Sequence, residues 1–335
     1  MRLAIDAMGG DEAPLAMVQG ALDYTAQHPD HQVVLVGQTP AIETALATEG
    51  TKPGNRIVIE HADEVITMAE KISALRDKPN DSMNRCARLV KDGAADAMVL
   101  CGNTACSVAA AQLHLRRIKG VRRAGIITPL PTIDPQRHTW VIDTGANAVG
   151  KAEHLTQFAQ MASTLLHHYR GIDRPSVGIL SIGAEEGKGD DLITSTAKLL
   201  AETDINLIGN VEGNDIYRGI VDIVVCDGFT GNVLLKTSEG LASTLGAIIR
   251  QETMRQMRTK IGGLLMKPAF ERVRQRTHWS LVGGCLLLGV DGITVIGHGR
   301  SSRVAVFHAL CQAARCVSNE VMHHLRQHMA RSSAQ

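Results

Sequence analysis

The sequence predicts an α/β fold in which one mostly parallel sheet lies between two layers of helices. Three observations predict it. Short apolar, β-branched runs recur at residues 3–5, 33–36, 57–59, 97–100, 177–182, 220–225 and 293–296. Most of them stop at Gly, Asp or Asn. The stretches between them carry helical spacing, as at Leu155, Phe158, Ala159, Ala162, Leu165 and Leu166. Apolar runs alternating with amphipathic helices are the pattern of a parallel sheet covered on both faces. Ligands of such sheets bind beyond the carboxyl ends of the strands, so the loops that follow the strands are where chemistry is expected.

The 335 residues include 35 Lys plus Arg against 34 Asp plus Glu, a balance that argues against a globally basic nucleic-acid binder or an acidic tail protein. Aromatic residues make up 3%, too few for base-stacking platforms, so no nucleic-acid partner is expected. Seven cysteines, odd in number and without a CxxC pair, fit a reducing cytoplasm. Residues 1–6 are too short an apolar run for a signal peptide and read as a first strand. No run approaches the ~20 apolar residues of a membrane span. With no linker, repeat or low-complexity stretch, residues 1–335 read as a single catalytic α/β unit, from which the Arg- and Lys-rich residues 254–276, broken at Gly262-Gly263, depart as an excursion.

The first run ends in Asp6-Ala7-Met8-Gly9-Gly10-Asp11, and Pro14 suits the first turn of a helix. Gly9 and Gly10 allow close approach of a phosphate to helix N-terminal amides; a tight turn capped by Asp11 serves the loop alone equally well. Two similar junctions are Cys101-Gly102-Asn103-Thr104 and Asp143-Thr144-Gly145-Ala146-Asn147. Because Asn side chains both donate and accept, Gly102, Asn103, Thr104 and Asn147 are candidates for orienting a phosphate or carbonyl oxygen, although either junction is also an ordinary turn. The loop from Gly183 to Gly189 has neither the spacing nor the hydroxyl residue of a Walker P-loop. Lys188 remains an anion contact or a solvated lysine before a helix starting near Asp190.

Asp227-Gly228-Phe229-Thr230-Gly231-Asn232 follows the 220–225 run, with Lys236 one helical turn beyond Asn232. A helix beginning near Thr230 would aim free amides at the strand end, which makes Thr230, Gly231 and Asn232 candidates for phosphate oxygens. Gly297-His298-Gly299 carries a histidine able to move a proton near neutral pH or to donate to an oxyanion. Asp6, Asp143 and Asp227 stand at strand ends, where they orient a lysine such as Lys236 or cap a helix. No metal is expected, since His323, His324 and His328 lack a completing ligand. Cys101 and Cys106 lack a neighbouring base that would make a thiolate, and read as small apolar packing.

Taken in order, these loops resemble those of the bacterial phosphate acyltransferases, the PlsX family. The likeness runs along nearly the whole chain and takes in Leu75-Arg76-Asp77-Lys78, Gly187-Lys188-Gly189, Leu235-Lys236-Thr237-Ser238-Glu239-Gly240 and Leu287-Leu288-Gly289. The resemblance implies a three-layer, Rossmann-like αβα sandwich related to phosphotransacetylases and to isocitrate and isopropylmalate dehydrogenases, working as a homodimer without a cofactor. It implies transfer of a fatty acyl group from acyl carrier protein to inorganic phosphate. The acyl phosphate would serve a downstream glycerol-3-phosphate acyltransferase in phospholipid synthesis. Phosphate would then be the nucleophile, with Lys188, Asn232 and His298 as catalytic residues. The chain departs from the family pattern at Leu100-Cys101, Ala105-Cys106, Arg122-Arg123-Ala124 and Cys285-Leu286, which bears on acyl length and donor.

Two basic segments suggest partners. Arg116, Arg117, Arg122 and Arg123 suit docking of an acidic carrier protein, or form a solvated helix end. In the excursion, Met254, Met257, Ile261, Leu264 and Leu265 recur at helical spacing among basic residues. That pattern fits an anionic membrane surface, toward which the resemblance points, or a dimer-interface or core helix. The expected location is cytoplasmic with peripheral membrane association. The rival readings are a phosphotransacetylase using short acyl groups on coenzyme A, and a non-catalytic copy that binds carrier protein or membrane.

Overall fold

Consecutive apolar side chains, rather than alternating ones, mark most of the predicted runs, and the strands they form are buried on both faces. The computed structural model describes residues 1–277 and 283–332. In chain order the elements are β1 (Arg2–Asp6), α1 (Leu15–Gln27), β2 (Gln32–Gly37), α2 (Thr39–Thr48), β3 (Ile57–His61), α3 (Ala74–Asp77), α4 (Ser82–Lys91), β4 (Ala97–Leu100), α5 (Thr104–Leu115), β5 (Gly125–Pro131) and β6 (His138–Ile142). There follow α6 (Ala152–Arg170), β7 (Ser176–Leu180), α7 (Asp191–Ala201), β8 (Asn206–Val211), α8 (Gly213–Arg218), β9 (Ile223–Val225), α9 (Gly228–Thr253), α10 (Met257–Thr277), β10 (Cys285–Leu288), β11 (Ile293–Ile296), α11 (Arg303–Ser318) and α12 (Val321–Ser332).

The eleven strands of the described residues join one sheet in the order β3-β2-β1-β4-β11-β10-β5-β6-β9-β7-β8. The pairings are parallel except for the central β11-β10, β10-β5 and β5-β6. Three successive reversals turn β6, β9 and β7 opposite to β1, β4 and β11, so the two halves of the sheet run head to head. The register decides where they meet. A single transverse row links Ile5, Val99, Val295, Leu286, Ile127, Ile142, Val225 and Ile179. In β1, β4, β11, β6, β9 and β7 the carboxyl end lies within one residue of this row, so the loops of both halves converge on the middle of the sheet.

The two faces differ. The side chains of that row lie in one continuous core with α1, α6, α11 and α12. The opposite face carries two separate clusters, one with α4 and α5 and one with α8 and the start of α9. Thr128 of β5, 7% exposed, sits on that face between them. The two apolar clusters of this face are thus separated by a buried hydroxyl.

Four of the described strands, β5, β6, β8 and β10, lie outside the seven runs named above. β5 contains Pro129 and Pro131, which normally argue against an interior strand. The structure accommodates them because β10 pairs with β5 only from Gly125 to Ile127, leaving the prolines past the end of β10. β8 is an edge strand of mixed polarity with Gly209 at φ +119°, and lacks an apolar signature. The 220–225 run is a strand only from Ile223, since α8 and the left-handed Gly219 precede it.

The excursion is larger than expected and has no break at its glycine pair. α9 and α10 form a helical hairpin whose residues from Gly240 to Arg276 are almost all exposed, and α10 runs through Gly262 and Gly263. A Cβ at Gly263 would overlap the Thr253 methyl group, so the glycine permits close packing of the two helices. Among the described residues no helix is long and apolar enough to cross a membrane.

Candidate active site between the two halves of the sheet

The loops after β1, β4 and β11 interlock through their backbones. A Cβ on Gly10, at φ +99°, would meet the carbonyl oxygens of Cys101 and Gly299 at 2.9 Å, and the Asp11 amide donates to the Gly299 carbonyl at 2.7 Å. Asp11 therefore ties two loops together, and Pro14 stands one residue ahead of α1. Asp6 is fully buried here. Desolvation lifts its carboxyl to about 6, against hydrogen bonds from Ser82, Met8 and Gly9.

Asn103 caps α5, its Oδ1 accepting the Cys106 amide at 3.1 Å while Nδ2 donates to the carbonyls of Met68 and Glu70 at 3.1 and 2.9 Å. Its side chain holds the 68–70 strap over the site, whereas Thr104 opens the helix. Gly102 lies against the Met83 side chain. Burial pushes the Cys101 thiol up to about 12, which keeps it protonated.

The second half is built around Asp143. Its Oδ1 accepts the amides of Ile126, Gly145 and Ala146 at 2.8–3.0 Å, and its Oδ2 accepts both Asn147 N–H groups at 2.8–2.9 Å. Asn147 also donates to the Ala124 carbonyl at 2.6 Å, so this amide fixes the loop to the start of β5. Asp227 caps α9: its Oδ1 accepts the Phe229 and Thr230 amides at 3.0 Å and its Oδ2 the Thr230 hydroxyl at 2.6 Å. The α9 amides expected to meet an anion are thus already satisfied by the chain's own carboxylate. A Cβ at Gly231 would overlap the Asp143 carbonyl, so this glycine lets α9 press onto the β6 loop.

The first turns of α9 bridge the halves. Asn232 is exposed and lies against Gly145, where an added Cβ would stand 3.3 Å from Oδ1. Lys236 pairs with Glu239 at 2.9 Å. Both act on His298 of the other half: burial first, then the Lys236 charge, lowers the imidazole below its ordinary value, which keeps it neutral near pH 7. Its Nδ1 accepts the Arg300 amide at 3.1 Å, which leaves the ring proton on Nε2. On the floor, the Thr128 hydroxyl lies 2.8 Å from that of Thr144 and donates to the Cys285 thiol at 3.0 Å.

Lys188 is exposed in the loop after β7, its carbonyl accepting the Asn210 side-chain amide at 3.0 Å. This loop belongs to the second half, where Gly150 touches both Asp227 and Leu192 of α7. Arg116, Arg117, Arg122 and Arg123 are exposed between α5 and β5, next to the Ala124 carbonyl that anchors Asn147. Ile261, Leu264 and Leu265 stand far along the hairpin, 59, 72 and 78% exposed. Sequence reasoning missed Glu239, Thr128, Thr144 and the Met68–Glu70 strap. Glu239 had a signal, its three-residue spacing from Lys236 on one helix. Thr128 had none, because its strand was hidden by prolines.

Comparison with known proteins agrees with this architecture. The family model described as "Fatty acid synthesis protein" matches residues 1–324. A phosphate acyltransferase of Desulfitobacterium hafniense is 42% identical over 336 residues, covering 100% of this chain and 99% of that protein. One from Bordetella parapertussis is 41% identical, covering 98% and 94%. Among solved structures, a phosphotransacetylase from Streptococcus pyogenes superposes with a TM-score of 0.63 at 18% identity, covering 95% of this chain and 94% of that one. A 4-hydroxythreonine-4-phosphate dehydrogenase from Klebsiella pneumoniae gives 0.56 at 11% identity, covering 95% and 99%. At such identities these two likenesses speak for the fold alone. The chain belongs to the fatty acid synthesis protein family, whose matched members are acyltransferases.

Proposed function

We propose that the protein transfers a fatty acyl group from acyl carrier protein to inorganic phosphate, producing an acyl phosphate for phospholipid synthesis. The observation that carries this reading is full-length identity to proteins named phosphate acyltransferase. The structure supports it by bringing Lys236 of one half near enough to His298 of the other for its charge to help keep the imidazole neutral.

Phosphate attack on a thioester needs no covalent enzyme intermediate. It needs a dianion held against the carbonyl, a stabilised tetrahedral oxyanion and a thiolate that can leave. Lys236, Lys188 and Asn232 supply charge and hydrogen bonds to phosphate in this reading. The Nε2–H of His298 donates to the oxyanion or to the departing sulfur. Asp143, Asn147, Asp227, Thr230 and Asn103 hold the loops that carry these groups, and Asp6, Gly9, Gly10, Gly102, Thr104 and Gly231 shape their packing. The exposed Arg116, Arg117, Arg122 and Arg123 dock the acidic carrier. The apolar face of the α9–α10 hairpin pairs with a second copy, and Ile261, Leu264 and Leu265 among basic residues touch an anionic membrane surface. The product passes to a glycerol-3-phosphate acyltransferase.

The test is release of carrier thiol from palmitoyl carrier protein with and without inorganic phosphate, trapping acyl phosphate with hydroxylamine. Phosphate-dependent release with hydroxamate is expected; release only from acetyl coenzyme A, or from neither donor, contradicts the proposal. His298→Ala is expected to lose about 10²-fold in kcat/KM or more. Protonating Nδ1 would set a second N–H against the Arg300 amide that it accepts, so neutral His298 is the form this loop geometry holds, and the acid limb of the pH profile lies below the ordinary histidine value. Lys236→Ala removes a charge that disfavours imidazolium, so the limb moves to higher pH. An unmoved limb means that His298 is not the group behind it.

A further inference from the structure

A fatty acyl thioester is unlike on the two sides of its carbonyl: phosphate, a dianion, attacks at the carbon, and an aliphatic chain leads away from it. The surroundings of His298 are divided in the same sense. The charged groups that act on its ring are Lys236, Glu239, Arg300 and Asp11. Against the next residue, Gly299, lies an apolar side chain instead, since a Cβ there would stand 2.5 Å from Cε and 3.1 Å from Sδ of Met68. From Val65 to Ala69 the chain carries no charged residue.

Met68 stands on the strap between β3 and α3, and the backbone of the strap is fastened on both sides of it. Asn103 donates to the carbonyls of Met68 and Glu70. Lys78 donates to the Val65 carbonyl at 2.7 Å and pairs with the Glu70 carboxylate at 2.7 Å, which also accepts the Thr67 amide at 2.7 Å. So many polar contacts fix where the strap presents its side chains, yet Met68 is left 48% and Ile72 53% exposed. Single exposed apolar residues are ordinary on a protein surface. Two on one fastened strap, the first of them packed on the neighbour of His298, form an apolar surface beside the place where the acyl carbonyl is held.

We propose that Met68 contacts the acyl chain of the donor and sets the preference for chain length, with Ile72 on the same strap extending the apolar path; this rests on the acyl-transfer reading given above. A thioether side chain is flexible and polarizable, which suits it to chains of varied curvature. The chain then lies along the first half of the sheet, while α9 of the second half holds phosphate through Lys236 and Asn232.

The experiment measures kcat/KM of the full chain at saturating phosphate for carrier protein charged with acyl groups from butyryl to palmitoyl, in wild type, Met68→Leu and Met68→Gln. Glutamine matches methionine in length and still buttresses Gly299, but its amide is polar. Met68→Leu is expected to keep the wild-type dependence on chain length. Met68→Gln is expected to lose activity increasingly with length, about tenfold at palmitoyl, with an unchanged urea midpoint because the side chain is half exposed. Ile72→Gln gives the same trend more weakly. A loss equal at every length means that Met68 only supports the His298 loop and overturns the proposal, as does an unchanged profile in Met68→Gln; both outcomes leave the acyl-transfer reading standing. Wild type that releases no carrier thiol in response to phosphate at any length removes that reading, and this proposal with it.

Discussion

Asp6 and Asp143 end equivalent strands in the two halves of the sheet, both fully out of solvent, yet their surroundings are opposite in kind. Asp143 accepts five N–H bonds and serves as the anchor of its loop. Asp6 sits among interlocked glycine loops with fewer close donors, and its carboxyl rises to about 6. Burial alone therefore does not define a strand-end carboxylate. Desolvation raises both carboxyls above the ordinary aspartate value, and the supply of donors decides how strongly that rise is opposed.

The comparison breaks most visibly at Asp143. Asp143→Ala leaves five donors, one buried and four partly buried, without their acceptor and is expected to cost about 4 kcal/mol, read from urea denaturation. A loss under about 1 kcal/mol means that water replaces the carboxylate and the anchor role fails.

Asp6→Asn gives a smaller, pH-dependent effect. A folded pKa of about 6 against 3.8 means that the protonated acid favours the folded state below the unfolded value. That contribution is lost as pH rises through 6, about 3 kcal/mol in all at about 1.4 kcal/mol per unit. The difference in stability between wild type and Asp6→Asn should therefore move by most of that amount between pH 4 and 7.5; a constant difference would place the Asp6 pKa at its ordinary value. Smallest is Asp227→Ala, loss of one helix cap and about 1 kcal/mol, with Asp227→Ser recovering most of it in the same denaturation assay. If Asp227→Ala equals Asp143→Ala in cost, the three aspartates are not differentiated in the way described.

These aspartates also measure how much was legible in advance. The capping role of Asp227 was readable because its partners are two and three residues away. Asp143 was named as an orienting or capping residue, but its Ile126 partner lies on a strand disguised by Pro129 and Pro131. Thr230 was assigned to phosphate from its place at a helix start, and its hydroxyl instead bonds the residue that caps that helix. Lys236 and His298 were both singled out, but nothing in their spacing announced that the one would lower the pKa of the other.

What the sequence determined by itself was the α/β class, most of the strands, the loops that bear chemistry and the helix start at Asp227, because each depends on periodicity or on neighbours within a turn. The tertiary structure decided that two halves run head to head and share one transverse row. It also decided that Thr128 meets Cys285 across 157 residues, and that the Asp143 carboxylate is satisfied where the Asp6 carboxylate is not. Strand register and desolvation arise between segments far apart in the chain, and no local pattern of side chains encodes them.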